Sequence, residues 1–138
     1  MKLVVDTNRI IAALLKDSAN RKVLFSVKFD FFTPQETLSE IRKYKDYIIK
    51  KAKIGEDDFD KLFDQIVLKI HIVDLETMRP KLEEAESVMK SIDIKDKWFL
   101  AVGMALELDG IWTEDNHFFR QQVLKPFTTK ALLDLISQ

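Results

Sequence analysis

Four short apolar runs, at 2–6, 29–33, 70–73 and 110–113, alternate with longer stretches whose apolar residues recur at helical spacing. This alternation confines the chain to βα units around a mostly parallel sheet, an α/β architecture. After the first run, Ile10, Ile11, Ala13, Leu14 and Leu15 predict a helix over 8–15 that stops at Lys16-Asp17-Ser18, before a short helix holding Val23, Leu24 and Val27. Pro34 suits the first turn of a third helix, where its missing N–H costs little. That helix carries Leu38, Ile41, Tyr44 or Lys45, Ile48 and Ala52 as its apolar stripe and is punctuated by Gly55. Phe59, Leu62, Phe63, Ile66 and Val67 predict a strongly amphipathic helix over 56–69. A helix over 78–91 opens near Pro80. The segment 99–108 is apolar almost all round and should lie buried, with Ala101, Gly103 and Ala105 permitting close approach. A short helix at 116–122, an edge strand at 123–127 and a terminal helix at 129–136 complete the reading.

With 46% hydrophobic residues among 138, the chain fits one compact domain over 1–138. Lys and Arg number 22 against 23 Asp and Glu, so no overall basic field marks a nucleic-acid binder and any basic surface must be local. The absence of cysteine excludes disulfides, zinc–thiolate centres and thiol nucleophiles, and is compatible with a reducing cytosol. Two histidines, His71 and His117, are too few for a histidine-built metal cage. No apolar run approaches the ~20 residues that span a bilayer, and the N-terminus lacks a signal-peptide pattern. A soluble, cytoplasmic protein with no membrane contact is expected.

Asp6 ends the first strand, and Asp115 follows the fourth, so parallel strands would bring both to the carboxyl edge of the sheet, where open α/β folds place their sites. Glu40 precedes core-facing Ile41 and shares a helical stripe with Glu36, Lys43, Tyr47 and Lys50. Asp96 opens the apolar helix, where the positive end of the helix dipole favours a carboxylate, and Asp93, one turn earlier, would cap that helix or join the site. Taken singly, each acid reads as a turn or cap residue. Drawn together, the four repel one another unless a cation neutralises them, and oxygen-only ligation suits one or two Mg²⁺ or Mn²⁺ ions. Such ions can hold the attacking and leaving oxygens of a phosphodiester displacement. Arg42, Lys43, Lys45, Lys50, Lys51 and Lys53 form a basic stretch that could steer a phosphate backbone toward Glu40, with Lys43 and Lys50 on the Glu40 stripe, or could be a solvated helix face. His117 reads as a capping or solvent-facing imidazole ahead of a general acid or base. Trp98, Trp112 and the ten phenylalanines read as core.

Four segments together resemble the PIN-domain nucleases: Val4-Val5-Asp6-Thr7-Asn8, Glu40-Ile41 after Thr33-Pro34, Asp93-Ile94-Lys95-Asp96-Lys97-Trp98-Phe99-Leu100-Ala101, and Trp112-Thr113-Glu114-Asp115-Asn116-His117-Phe118. The resemblance runs in family order over almost the whole chain. It implies a three-layer α/β/α fold with a mostly parallel sheet and Mg²⁺- or Mn²⁺-dependent ribonuclease activity. Asp6, Glu40, Asp96 and Asp115 fall on the family's acidic positions, with Thr7, Asn8, Asp93 and Thr113 as supports. In size the chain is similar to VapC-like toxins of toxin–antitoxin pairs and to small archaeal PIN proteins. This implies RNA as substrate, a homodimer, and an antitoxin protein among the partners the family admits. The pattern departs at His117, where many members carry a further acid. A haloacid dehalogenase-type phosphotransferase would need a second Asp where Asn8 stands, and a receiver-like phosphoacceptor would need more acids around the first strand. The remaining alternative is a catalytically inactive PIN scaffold that binds RNA or a protein, a role with no use for mutually repelling acids.

Overall fold

The computed structural model describes residues 1–15 and 18–138, with Ser18 described by its backbone alone. Five parallel strands, β1 (Lys2–Val5), β2 (Asp30–Pro34), β3 (Ile70–Val73), β4 (Gly110–Trp112) and β5 (Pro126–Phe127), form one sheet in the order β3-β2-β1-β4-β5. The chain therefore builds outward from β1 through β2 to β3, then returns to the other side of β1. That reversal makes the carboxyl ends of β1 and β4 the switch point, where neighbouring connections diverge and leave a crevice. Val5 pairs with Trp112, and the Asp6 amide donates to the Trp112 carbonyl at 3.1 Å, so the residues after both strands emerge side by side.

Alternating side chains divide the core into two layers. Leu3, Val5, Phe31 and Trp112 face α1 (Thr7–Leu14), α2 (Ser18–Leu24), α3 (Glu36–Lys43), α4 (Lys45–Ala52), α5 (Glu56–Lys69) and α8 (Thr129–Ile136). Val4 and Ile111 face α6 (Leu75–Met89) and α7 (Lys97–Ala105), with Phe118 and Leu124 closing that layer. The period of two in a strand imposes this division, since adjacent residues must point to opposite faces. Each fully buried Leu, Ile or Phe contributes roughly 1.5–3 kcal/mol, so both faces hold the sheet strongly. The expected α/β/α layering is observed.

Several boundaries differ from the sequence expectation. Pro34 ends β2 instead of opening a helix; the Gln35 amide, one residue on, donates to Val73 O at 2.9 Å, so the missing proline N–H leaves the ladder intact. The expected single helix through Ala52 is two helices broken at Tyr44 (φ −96°, ψ 5°), with Ile41 and Ile48 buried on either side. Tyr44 itself is exposed, while Lys45 folds back to pair with Glu56 and Asp60, each at 3.0 Å. Asp74 starts α6 six residues before Pro80 by accepting from the Thr77 amide (2.9 Å) and hydroxyl (2.8 Å). Pro80 thus lies inside the helix, where it removes one bond near the N-terminal end. The helix read over 99–108 spans Lys97–Ala105, and Gly103 is approached by the Leu124 side chain, which a Cβ there would meet at 2.5 Å. The strand read over 123–127 is only Pro126–Phe127, and the turn read at Lys16-Asp17 lies outside the described residues.

The amphipathic stripe of α5 is used within the chain: Phe59, Phe63 and Ile66 are buried in the first core layer. Leu62 and Val67 of the same stripe pack partly against that layer. None of the described helices is long and apolar enough to cross a membrane.

Gly55 does not terminate α4. It precedes α5 in extended backbone, while Lys53 closes α4 in the left-handed region (φ 57°, ψ 44°). A side chain with a Cβ is strained there by roughly 1–2 kcal/mol, and glycine is not, although its freer unfolded chain offsets part of the gain. Lys53→Gly should therefore stabilise the protein by about 0.5–1 kcal/mol, read as a higher midpoint in urea unfolding.

Candidate active site

The residues at the switch point are held in place by local turn chemistry. Asp6 is the N-cap of α1: its Oδ1 accepts from the Asn8 amide at 3.2 Å. Its Oδ2 accepts from the hydroxyl of Thr113, the residue after β4, at 2.8 Å. That hydroxyl in turn accepts from the Asp115 amide at 2.9 Å, so one buried threonine ties both strand-end carboxylates together. Burial pushes the Asp6 carboxyl above its ordinary range, the Thr113 and Asn8 hydrogen bonds pull it back, and the nearby Asp115 charge adds to the rise.

Asp115 caps the 3₁₀ turn Asn116–Arg120 by accepting from the His117 amide at 2.9 Å. Asp93 caps the 3₁₀ turn Ile94–Asp96 through Oδ1, which accepts from the Lys95 amide at 3.0 Å. Asp96 occupies the N-cap position of α7 without a side-chain capping bond, leaving its carboxylate directed at the other acids. Burial, then the charges of Asp93 and Asp115, push the Asp96 carboxyl up to about 6, against a hydrogen bond from His117 that lowers it. Asp93 satisfies both the cap reading and the site reading, since Oδ1 serves the backbone and Oδ2 faces His117, whereas in Asp115 the same Oδ1 does both.

His117 departs from the sequence expectation. It is half-buried, and its Nδ1 lies 3.2 Å from Asp96 Oδ2, 3.3 Å from Asp93 Oδ2 and 3.3 Å from Asp115 Oδ1. The signal was its spacing two residues after Asp115: a turn capped by Asp115 Oδ1 carries the side chain at that position back over the carboxylates. Among the described residues, Asp93, Asp96 and His117 offer ligand atoms all within 4.8 Å of one another.

Asp6, Glu40, Asp96 and Asp115 line one open cleft of about 860 Å³. Glu40 is exposed on α3 and lines the same cleft, outside the close group of Asp93, Asp96 and His117. Asn8 and Asp93 also line the cleft, as does Thr7, whose hydroxyl is 3.2 Å from that of Thr37. Thr37 accepts from Thr33 at 3.0 Å, joining α1 and α3 beneath the cleft floor. Lys43 lies on the wall and Lys50 lies outside it, exposed on α4. Lys95, Tyr44, Tyr47 and Trp98 line the cleft too; Trp98 is partly buried and also packs against the second core layer, whereas Trp112 is fully buried. The donor set of crowded carboxylate oxygens suits a hard divalent cation, whose charge would relieve the repulsion from Asp93 and Asp115 that adds to the effect of burial on Asp96.

The PIN domain family profile matches residues 4–134. The chain belongs to the PIN-domain family. Its fold is similar to that of a chain in the crystal structure of VapBC2 from Rickettsia felis bound to a DNA fragment from their promoter, with a TM-score of 0.70 and 15% sequence identity over 93% of this chain and 98% of that one. No curated protein matches the sequence. PIN domains are generally nucleases.

Because the folded protein holds a proton on Asp96 up to about pH 6 while the unfolded chain releases it near 3.8, the native state binds more protons in that window. Stability of the metal-free protein is therefore lost as pH rises from about 4 to about 6. Asp96→Asn should remove this loss, so that the melting temperature of the variant minus that of the wild type increases across the window in EDTA.

Proposed function

We propose that this PIN-domain protein is a divalent-metal-dependent endoribonuclease and that it acts as the toxin of a toxin–antitoxin pair in the cytoplasm. The observation that carries the reading is the meeting of Asp6, Asp96 and Asp115 at the β1–β4 switch point, with Glu40 lining the same cleft. Asp6, Glu40, Asp96 and Asp115 would hold one or two Mg²⁺ or Mn²⁺ ions. When bound, such ions lower the pKa of a coordinated water and neutralise charge on the scissile phosphate.

The chain's own residues supply the rest. Thr113 and the Asn8 amide fix the Asp6 carboxylate, so the ligand is oriented before metal or substrate arrives. The Thr7–Thr37–Thr33 hydroxyls hold α3, and with it Glu40, against the end of β1. Lys43 and Lys95 on the cleft walls attract backbone phosphates, and exposed Lys50 extends that field along α4. The similarity to a VapBC2 chain supports an antitoxin partner, and a homodimer is part of the same proposal. A dimer would use a surface other than the α5 stripe, and light scattering should give twice the chain mass of 16.1 kDa.

A specific contact favours one second reading, a non-catalytic scaffold that binds RNA or protein. His117, when protonated, supplies a positive charge to three carboxylates and could replace a metal as their counterion. Cleavage of a panel of single-stranded and structured RNAs with titrated Mg²⁺ and Mn²⁺ separates the two. Asp6→Asn and Asp96→Asn should each lower the rate by roughly a hundredfold or more while preserving the fold, since a lost ligand removes charge stabilisation made in the transition state. Neutralising Lys43 and Lys50 together should weaken RNA binding and flatten its dependence on salt instead. Cleavage that persists in EDTA, or at wild-type rate in Asp6→Asn, would overturn the metal-dependent mechanism, and RNA binding without cleavage at any metal concentration would transfer the protein to the scaffold reading.

A further inference from the structure

Three features of His117 go beyond a counterion. First, its Nδ1 has three carboxylate oxygens, from Asp93, Asp96 and Asp115, at 3.2–3.3 Å. One nitrogen carries at most one proton and can direct it at one oxygen, so one hydrogen bond cannot satisfy all three approaches, and the other two are held by charge alone, from a protonated ring or from a cation among them. Second, the spacing suits a shared ion. With metal–ligand distances of about 2.1 Å, neighbouring ligands at right angles lie roughly 3.0 Å apart, close to what is found here. Third, backbone hydrogen bonds hold part of the cluster in place: Asp93 Oδ1 accepts from the Lys95 amide, which leaves Oδ2 toward the ring, and the His117 amide is bound to Asp115 Oδ1, while the Asp96 carboxylate serves no cap.

We infer that His117 Nδ1, with Asp93 and Asp96, forms a mixed nitrogen–oxygen centre that selects Mn²⁺ over Mg²⁺. Imidazole is a poor ligand for Mg²⁺, which prefers oxygen and dehydrates reluctantly, and a better one for first-row transition ions. The inference rests on the metal-dependent reading of the cleft and sharpens it: Asp93 becomes a ligand, and the metal is chosen by a residue other than the four acids. The nitrogen donor also distinguishes this centre physically from an all-carboxylate one. The sequence contains only two histidines, and His71 stacks on Phe32 in β3, two strands from β1.

The test is Mn²⁺ and Mg²⁺ binding to the RNA-free protein by calorimetry, with pulsed electron paramagnetic resonance of the Mn²⁺ complex. Mn²⁺ should bind roughly tenfold or more tightly than Mg²⁺. The wild type and His71→Gln should show imidazole ¹⁴N modulation. His117→Ala should lose it and weaken Mn²⁺ binding by roughly tenfold or more, as expected for a metal-site residue. His117→Asp should lose the modulation, retain binding and narrow the preference for Mn²⁺. Bound Mn²⁺ without imidazole modulation in the wild type, or modulation abolished by His71→Gln, overturns the inference while the metal-dependent reading stands. No binding of either ion up to millimolar concentration overturns both. The wild-type and His71→Gln spectra decide the matter even if a His117 variant fails to fold.

Discussion

A carboxylate buried at the end of a central strand is tolerated only if its charge and lone pairs find partners, and Asp6 finds them in Thr113 and the Asn8 amide. The Thr113 hydroxyl has one proton to give and gives it to Asp6; its lone pair takes the Asp115 amide. One side chain thereby sets the relative position of two acids 109 residues apart in sequence, as 115 less 6. The arrangement requires β1 and β4 to be parallel neighbours in their observed register, because a one-residue slip would turn Thr113 toward the opposite face. The topology of the sheet and the geometry of the site are thus one constraint.

Around that pair the other acids are held by the same device. Asp93 and Asp115 each commit one oxygen to a backbone amide at the start of a 3₁₀ turn, which fixes the direction of the second. Such capping satisfies amides that a turn leaves unpaired and offsets part of the electrostatic cost of gathering like charges. Asp96, the acid without a capping bond, bears the rest: burial first, then the charges of Asp93 and Asp115, push its carboxyl up to about 6. A cation or the His117 ring relieves the part that comes from charge.

The break between α3 and α4 shapes the rest of the cleft. A continuous helix would have carried Tyr44 into the apolar stripe; the turn at that residue releases the ring to the cleft and lets Lys45 bridge Glu56 and Asp60 on α5. The wall then combines Tyr44 and Tyr47 with Lys43 and Lys95, a surface that presents rings and positive charge together. Rings suit the faces of unpaired bases and lysines suit phosphates, so this wall accords with the proposed substrate class.

The sequence alone determined the layered α/β class, the three longest strands and the positions of the acids, because each rests on local information. Strand and helix periodicity is written in nearest neighbours, and an aspartate that ends a strand before a helix is legible from a few residues. The boundaries at Pro34, Tyr44, Gly55 and Pro80 were not legible, since each depends on which amide or apolar surface a neighbouring element offers. His117 was misjudged for the same reason. In sequence it follows a capping aspartate and reads as a surface ring; its contact with Asp93 and Asp96, more than twenty residues earlier, exists only because the start of α7 lies beside the end of β4. The residue types were therefore set by the chain, while the distances among them, and so the charge each must bear, were decided by the tertiary fold.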